Sequence, residues 1–243
     1  MIPEEIWLSI FSFLKLECKD WASHSTVCKA WCRAIPMITS LVVTHRIKDA
    51  NYILSQYPNI KSLCIKVRIT GMDCEAWCKL TKLTLEVPQI WFCFISELTN
   101  LTSLSIPVDF GGRANQILSS FSEETKKSMT CLNIQNNTAI RNDVLAQFTN
   151  LTRLNLKNVD SITSIDGLTQ LRQLKLTSLS LHRLRTYAGK AKVFYPNGLY
   201  EGNVKDGMLF GFGKMKYYDG SVIEGEWSHG YRSDLLHHLF PIQ

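Results

Sequence analysis

Cys28 and Cys32, and again Cys74 and Cys78, stand four residues apart, a spacing that puts two thiols on one face of a helix. Four thiolates can hold a zinc ion tetrahedrally. The remaining donors do not support such a site: His237-His238 and the other histidines are scattered and form no recognised zinc motif with these cysteines. These cysteines read as packing residues. No nucleophile elbow, phosphate-cradling glycine loop or metalloprotease helix is present, so the chain is expected to be non-catalytic and to need no cofactor. The chemistry that remains is recognition. It falls to a cluster of large apolar side chains at the N-terminus and to charged residues recurring at fixed intervals further on.

The elements that carry those residues need a folded scaffold, and 243 residues with 45% hydrophobic and 20% charged content are enough for one. The longest wholly apolar run, Ile90–Ile95, is far short of the roughly 20 residues of a membrane span. Glu4 and Glu5 stand where an export signal would be positive, so the eight cysteines are expected to be reduced thiols of the cytoplasm or nucleus. The Asn-x-Thr triplets at Asn100 and Asn150 then carry no glycan. The net charge of +6 is spread along the chain. With no concentrated basic face, no nucleic-acid partner is expected.

Pro3 suits a first helical turn, and Glu4 and Glu5 favour the positive end of the helix dipole. Ile6, Ile10, Phe13 and Leu14 share a helical face, and Trp7, Leu8 and Phe11 cover much of the rest. Asp20 can cap a second helix, while Val27, Trp31 and Ala34 share a face of a third stretch that Pro36 helps to end. About 40 residues rarely fold alone, so such a unit must be covered by the rest of the chain and by a partner. The pattern Ile2-Pro3-x-Glu5 with Ile6, Ile10 and Leu14, followed by Val27-Cys28-Lys29-x-Trp31, resembles an F-box. That resemblance implies a helical trio over residues 1–36 that docks on a Skp-type adaptor, and through it a cullin, by way of Pro3, Ile6, Ile10, Leu14, Val27 and Trp31.

A hexad apolar-x-x-apolar-x-apolar then recurs seven times, beginning at Ile38, Ile60, Leu80, Leu101, Met129, Leu151 and Leu171, in steps of 22, 20, 21, 28, 22 and 20 residues. In a short strand the last two apolar positions point to one side and their neighbours to the other, so stacked units form a parallel sheet over a leucine core. The pattern is that of a leucine-rich-repeat solenoid over residues 37–182, in about seven degenerate units. Val144, Leu145 and Phe148 suit a short outer helix, and Ile90–Ile95 a buried connector. The asparagine expected eight residues after the start of each hexad is found only at Asn137. The longest step, with Gly111-Gly112 and the charged stretch Glu123–Lys127, is expected to be a protruding loop. The outward strand positions should form a client-binding face. In the early repeats they include Ser62, Lys66, Lys82, Glu86 and Ser103. In the later ones they are Asn133, Gln135, Arg153, Asn155, Lys157, Gln173 and Lys175, a basic bias suited to an acidic or phosphorylated protein.

From about residue 187 the texture changes. Gly189–Gly198 recurs 22 residues later as Gly211–Gly220, and Tyr200-Glu201-Gly202 recurs as Ile223-Glu224-Gly225. Aromatic strands alternate with turns expected at Asn197-Gly198 and Asp219-Gly220. This segment is similar to MORN repeats, which implies antiparallel β-hairpins and a C-terminal cap over residues 183–243 that continue or close the solenoid end. MORN arrays are associated with membrane lipid or scaffolding, so Lys190, Lys192, Lys205, Lys214 and Lys216 are candidates for a minor contact with anionic lipid.

The expected fold class is therefore α/β: a helical trio, a solenoid with a parallel sheet, and antiparallel hairpins. The expected function is that of a substrate-recognition adaptor in a cullin-based ubiquitin ligase. The alternatives are a scaffold associating with membranes or with itself through its C-terminal end, and a decoy that occupies the Skp-type adaptor. The combination is similar to those of protists and of large DNA viruses of amoebae; a viral chain would act in the host cytoplasm.

Overall fold

The computed structural model describes residues 39–43, 57–67, 77–87 and 98–234. Pro3, Ile6, Ile10, Leu14, Val27 and Trp31 lie outside the described residues, as do Cys28, Cys32 and Cys74, the connector Ile90–Ile95 and the tail after Asp234. The chain divides into two compact units: residues up to 105 with 120–128, and residues 106–119 with 129–243.

In the first unit the strands β1 (Ser40–Val43), β2 (Ser62–Ile65), β3 (Lys82–Leu85) and β4 (Ser103–Ser105) run parallel in sequence order. The hexad interval is the register: Leu41, Leu63, Leu83 and Leu104 stand opposite one another. Leu63, Leu83 and Leu104 are fully buried, each contributing about 1.5–3 kcal/mol of apolar burial. In five of the seven hexads a threonine follows the first apolar residue, and in this unit Thr81 and Thr102 tie the rungs together. Thr81 Oγ1 donates to the Lys61 carbonyl at 3.2 Å, and Thr102 Oγ1 to the Thr81 carbonyl at 3.1 Å.

The second unit repeats this scheme in β5 (Cys131–Asn133), β6 (Arg153–Leu156) and β7 (Gln173–Thr177), with Leu132, Leu154 and Leu174 in register. Asn137 is fully buried. Its Oδ1 accepts from the Phe110 amide at 3.0 Å, and its Nδ2 donates to the carbonyls of Ile106 (2.7 Å) and Ile134 (3.2 Å). One asparagine thus satisfies backbone groups that the turn would leave without partners.

The long step between repeats is not a protruding loop. It folds as α1 (Arg113–Ser120), which buries Ala114, Ile117 and Leu118, and α2 (Glu123–Ser128). The Thr125 amide bonds to Ser122 Oγ at 3.2 Å, acids occupy the first turn of α2 and lysines the last, all of which favour a helix. Lys126 lies buried, its Nζ 2.8 Å from Glu123 Oε1. Glu123, Glu124 and Lys127 are exposed as their charge suggests, and of these charged residues Lys126 alone is buried, because a lysine stem packs like an apolar chain. The short helix expected near Val144 is α3 (Asn142–Leu145), with Phe148 buried just after it. A further helix, α4 (Ser178–Arg183), follows β7.

β8 (Gly189–Tyr195) has two roles. It pairs parallel to β7, placing Ala191 and Val193 beside Leu174 and Leu176, and antiparallel to β9 (Gly198–Lys205). β10 (Met208–Tyr217), β11 (Val222–Ser228) and β12 (Tyr231–Arg232) continue the antiparallel ladder. The change of texture in the sequence is thus a change of strand direction within one continuous ladder.

Two of its turns are Asp206-Gly207 and His229-Gly230, both residues of each pair having positive φ, the geometry of a two-residue hairpin turn that matches strand twist. The turn expected at Asp219-Gly220 is present, with Gly220 at φ 90° and Asp219 Oδ1 accepting from the Ser221 amide at 2.8 Å. The turn expected at Asn197-Gly198 is displaced by one residue, to Pro196-Asn197. Gly198 is instead a ladder residue opposite Tyr195, at a position that needs glycine because a Cβ there would come within 2.4 Å of the Lys216 carbonyl oxygen.

Candidate protein-binding face

Side chains alternate across a strand, so every residue in register with an outward position shares its face. In the second unit one such row crosses seven strands: Asn133, Asn155, Lys175, Lys192, Glu201, Lys214 and Glu224. A second row beside it runs through Thr177, Phe194, Leu199, Lys216 and Val222. Arg153 and Gln173 form a short row on the other flank. The outward residues of β5–β7 and the front of the hairpins are therefore one surface.

Its charges fall into two zones. On the hairpins, Lys192 Nζ lies 2.8 Å from Glu201 Oε1, Lys216 Nζ 3.9 Å from the same oxygen, and Lys214 Nζ 3.0 Å from Glu224 Oε2. The hydrogen bond from Lys192 holds the Glu201 carboxyl below its ordinary range, with Lys216 and Lys214 adding to the effect. Such exposed pairs contribute about 0–1 kcal/mol each, so they set charge pattern more than stability. On the solenoid strands, Lys157 Nζ sits 4.4 Å from the centre of the Phe194 ring. Asn155 Nδ2 donates to Gln135 Oε1 at 3.0 Å, and Asn155 Oδ1 accepts from the Lys157 amide at 3.1 Å. Arg153 and Lys175 are exposed, and no carboxylate among the described residues pairs with either. They are two cations held at fixed spacing on a rigid ladder, with amide donors beside them.

The early-repeat candidates belong to the first unit. Lys66 and Glu86, one residue beyond β2 and β3, form an ion pair at 3.2 Å. Cys64 Sγ lies 3.7 Å from Glu86 Oε1, and burial, then the nearby Glu86 charge, push its thiol pKa up. Lys82 is exposed beside Ser62. Lys66 and Glu86 thus neutralise each other, while Lys82 has no carboxylate partner among the described residues, as with Arg153 and Lys175 of the second unit.

Phe194, Leu199 and Glu201 were not identified from the sequence as part of this face. The available signal was the alternation Ala191-x-Val193, which keeps two inward apolar positions and leaves Lys192 and Phe194 outward. Of the five lysines considered for lipid, Lys192, Lys214 and Lys216 are engaged with glutamates, and Lys205 Nζ lies 5.4 Å from the centre of the Phe210 ring. Among the described residues no helix is long and apolar enough to cross a membrane.

A protein-family model described as F-box-like matches residues 1–41. Among solved structures, the chain is similar to an internalin (inlF) from Listeria monocytogenes at 18% identity and a TM-score of 0.38, covering 69% of this chain and 53% of the internalin. It thus spans about half the length of that protein. It is also similar to an internalin C2 (inlC2) of the same species, at 16% identity and a TM-score of 0.44 over 72% of this chain and 84% of the other. A chain of the Toll–Spatzle complex from Drosophila matches at 14% identity and a TM-score of 0.35, over 66% and 29%. A comparison with curated protein sequences gives no match. Residues 1–41 are thus F-box-like and lead into the repeated parallel strands described above.

Proposed function

We propose that this protein is a non-catalytic substrate-recognition adaptor of a cullin-based ubiquitin ligase. The F-box-like segment would dock on a Skp-type adaptor through Pro3, Ile6, Ile10, Leu14, Val27 and Trp31, in the cytoplasm or nucleus. The front of the second unit would take the client. Arg153 and Lys175, left without carboxylate partners beside Asn155 and Gln173, suit an acidic or phosphorylated segment of that client. Rate enhancement in such an assembly comes from proximity, supplied by holding the client near a ubiquitin donor. The hairpins are read as MORN type on Tyr200-x-Gly202 and Gly211-x-Gly213, a pattern that seats the Tyr200 ring against Gly202 and Gly213. They extend the client face rather than forming a separate module.

The observation that carries this reading is the F-box-like match at residues 1–41, joined to a sheet face with unpaired cations. Recovery of the tagged full chain from cells tests it. A Skp-type adaptor, a cullin and ubiquitin-modified clients should co-purify. Pro3→Ala with Ile10→Ala should lose the adaptor, costing about 2 kcal/mol or more at interface hot spots. Arg153→Glu with Lys175→Glu should lose the clients and keep the adaptor. Unchanged adaptor recovery from the first pair would sink the docking claim, and adaptor and cullin without clients would make the chain a decoy.

A further inference from the structure

Among the described residues the outer edge of β11 carries no partner strand from Val222 to Glu226, with the Arg232 side chain lying beside Gly225. β12 pairs only with Trp227 and Ser228. Ser228 and Tyr231 flank a two-residue turn and so form a hydrogen-bonded pair. Alternation along an antiparallel strand then turns the N–H and C=O groups of Glu226, Glu224 and Val222 outward, and those of Gly225 and Ile223 toward β10. Among the described residues no backbone group bonds to the outward set.

The front of the hairpins alternates in charge from strand to strand: Lys192 on β8, Glu201 on β9, Lys214 on β10, Glu224 on β11. The series stops on an acidic strand. Glu224 is shared with Lys214 alone, and Glu226 has no cation partner among the described residues. β10 shows what complements β11 on its inner side, since it sets Lys216 against Val222, Lys214 against Glu224 and Phe212 against Glu226.

We infer that this edge of β11 takes up an extended basic segment of a partner protein as an added strand, with lysine or arginine opposite Glu224 and Glu226 and small or aliphatic residues on the opposite face, beside Ile223 and Gly225. Main-chain bonds to the outward groups supply the attraction and the glutamates set the register. A second copy of the chain is disfavoured in this place, because antiparallel pairing of β11 with itself sets glutamate against glutamate. The site is independent of the ligase reading and opposite in charge preference to the Arg153–Lys175 zone.

The test is fluorescence anisotropy of the full chain with a labelled peptide of alternating lysine and valine. The added strand is taken to run antiparallel to β11, so that the lysine amides opposite Glu224 and Glu226 point at β11 and the valine amides away from it. N-methylating the lysine amides should weaken binding about tenfold or more, while N-methylating the valine amides should leave it within about threefold, the loss of a few hydrogen bonds being enough. Glu226→Lys should also weaken it about tenfold, and an all-glutamate peptide should not bind. Absence of saturable binding, or an equal effect of the two methylation patterns, overturns the inference, since the latter means attraction without strand addition. Because only the peptide changes between the two methylated probes, folding of a variant does not enter the decisive comparison.

Discussion

Replacing Gly213 by alanine should collapse the hairpin core while leaving the solenoid strands intact. A Cβ at this position would lie 2.1 Å from Tyr200 Oη, 2.4 Å from its Cζ and 2.5 Å from its Cε2, so the ring must move by more than an ångström to regain van der Waals contact. It has little freedom to do so. Tyr200 is fully buried, its hydroxyl donates to the Asn203 carbonyl at 2.9 Å, and its ring meets Trp227 edge-on, with centroids 5.5 Å apart at 81°. Overpacking costs about 1–3 kcal/mol, the hydrogen bond is worth about 1, and the edge-to-face pair about 0.5–1.5. A destabilisation of roughly 3–5 kcal/mol follows, or a fall in Tm of about 10 °C for a chain of this size. Guanidinium unfolding gives the energy, and native-state hydrogen exchange gives its location: protection should fall across β9–β11 and persist in β5–β7. The internal control is Gly112→Ala, where the added Cβ meets nothing within 4 Å and stability should change by less than about 0.5 kcal/mol. If Gly213→Ala unfolds within that same margin of the parent, the ring is not confined by the two glycines and the packing argument fails.

Asn137→Ala should cost roughly 3 kcal/mol or more in denaturant unfolding, because it strands the buried Phe110 amide and Ile106 carbonyl; Asn137→Asp, which keeps the acceptor but loses the donors, should not rescue it. Burial, with a smaller effect of Tyr195, pushes the Tyr200 phenol up to about 12, above the ordinary value near 10. The raised value belongs to the folded state, so its stabilising effect is complete below pH 10 and is lost as pH rises from 10 through about 12; Tyr200→Phe should flatten the stability curve in that window and remove a phenolate that forms near pH 12 in an absorbance titration. Lys157→Ala and Phe194→Ala in a double-mutant cycle should give a coupling of about 0.5–1 kcal/mol that falls little with salt, and additive effects would remove the cation–π contact as a feature of the binding face.

The parallel strands were legible because one spacing encodes two things. A leucine every 20–22 residues fixes both which side chains enter the core and which residue of the next strand lies opposite, as Leu154 and Leu174 show. Arg153, Asn155 and Lys175 could be assigned to the outward face for the same reason, by parity alone. Charge and turn chemistry misled where a residue served a different purpose from its common one. Lys126 is buried along its stem, and Gly198 gives way to a neighbouring carbonyl rather than to a turn. The double pairing of β8 was not readable, since Ala191 and Val193 fit a parallel or an antiparallel neighbour equally well and direction leaves no mark on an alternating pattern. Phe194 was missed with it, because its partner Lys157 stands two strands away.

The reversal of direction at β8 changes how much chain each added strand requires. In the solenoid each strand is followed by a return path, and a full turn of about 20–22 residues widens the sheet by one strand, near 4.8 Å. Past β8 the return path is itself a strand, so the 23 residues from Gly202 to Gly225 carry the sheet across two strands and about twice that width. Insertion or loss of one hairpin would therefore lengthen or shorten the exposed face in steps of about 10 Å without altering a single leucine of the solenoid.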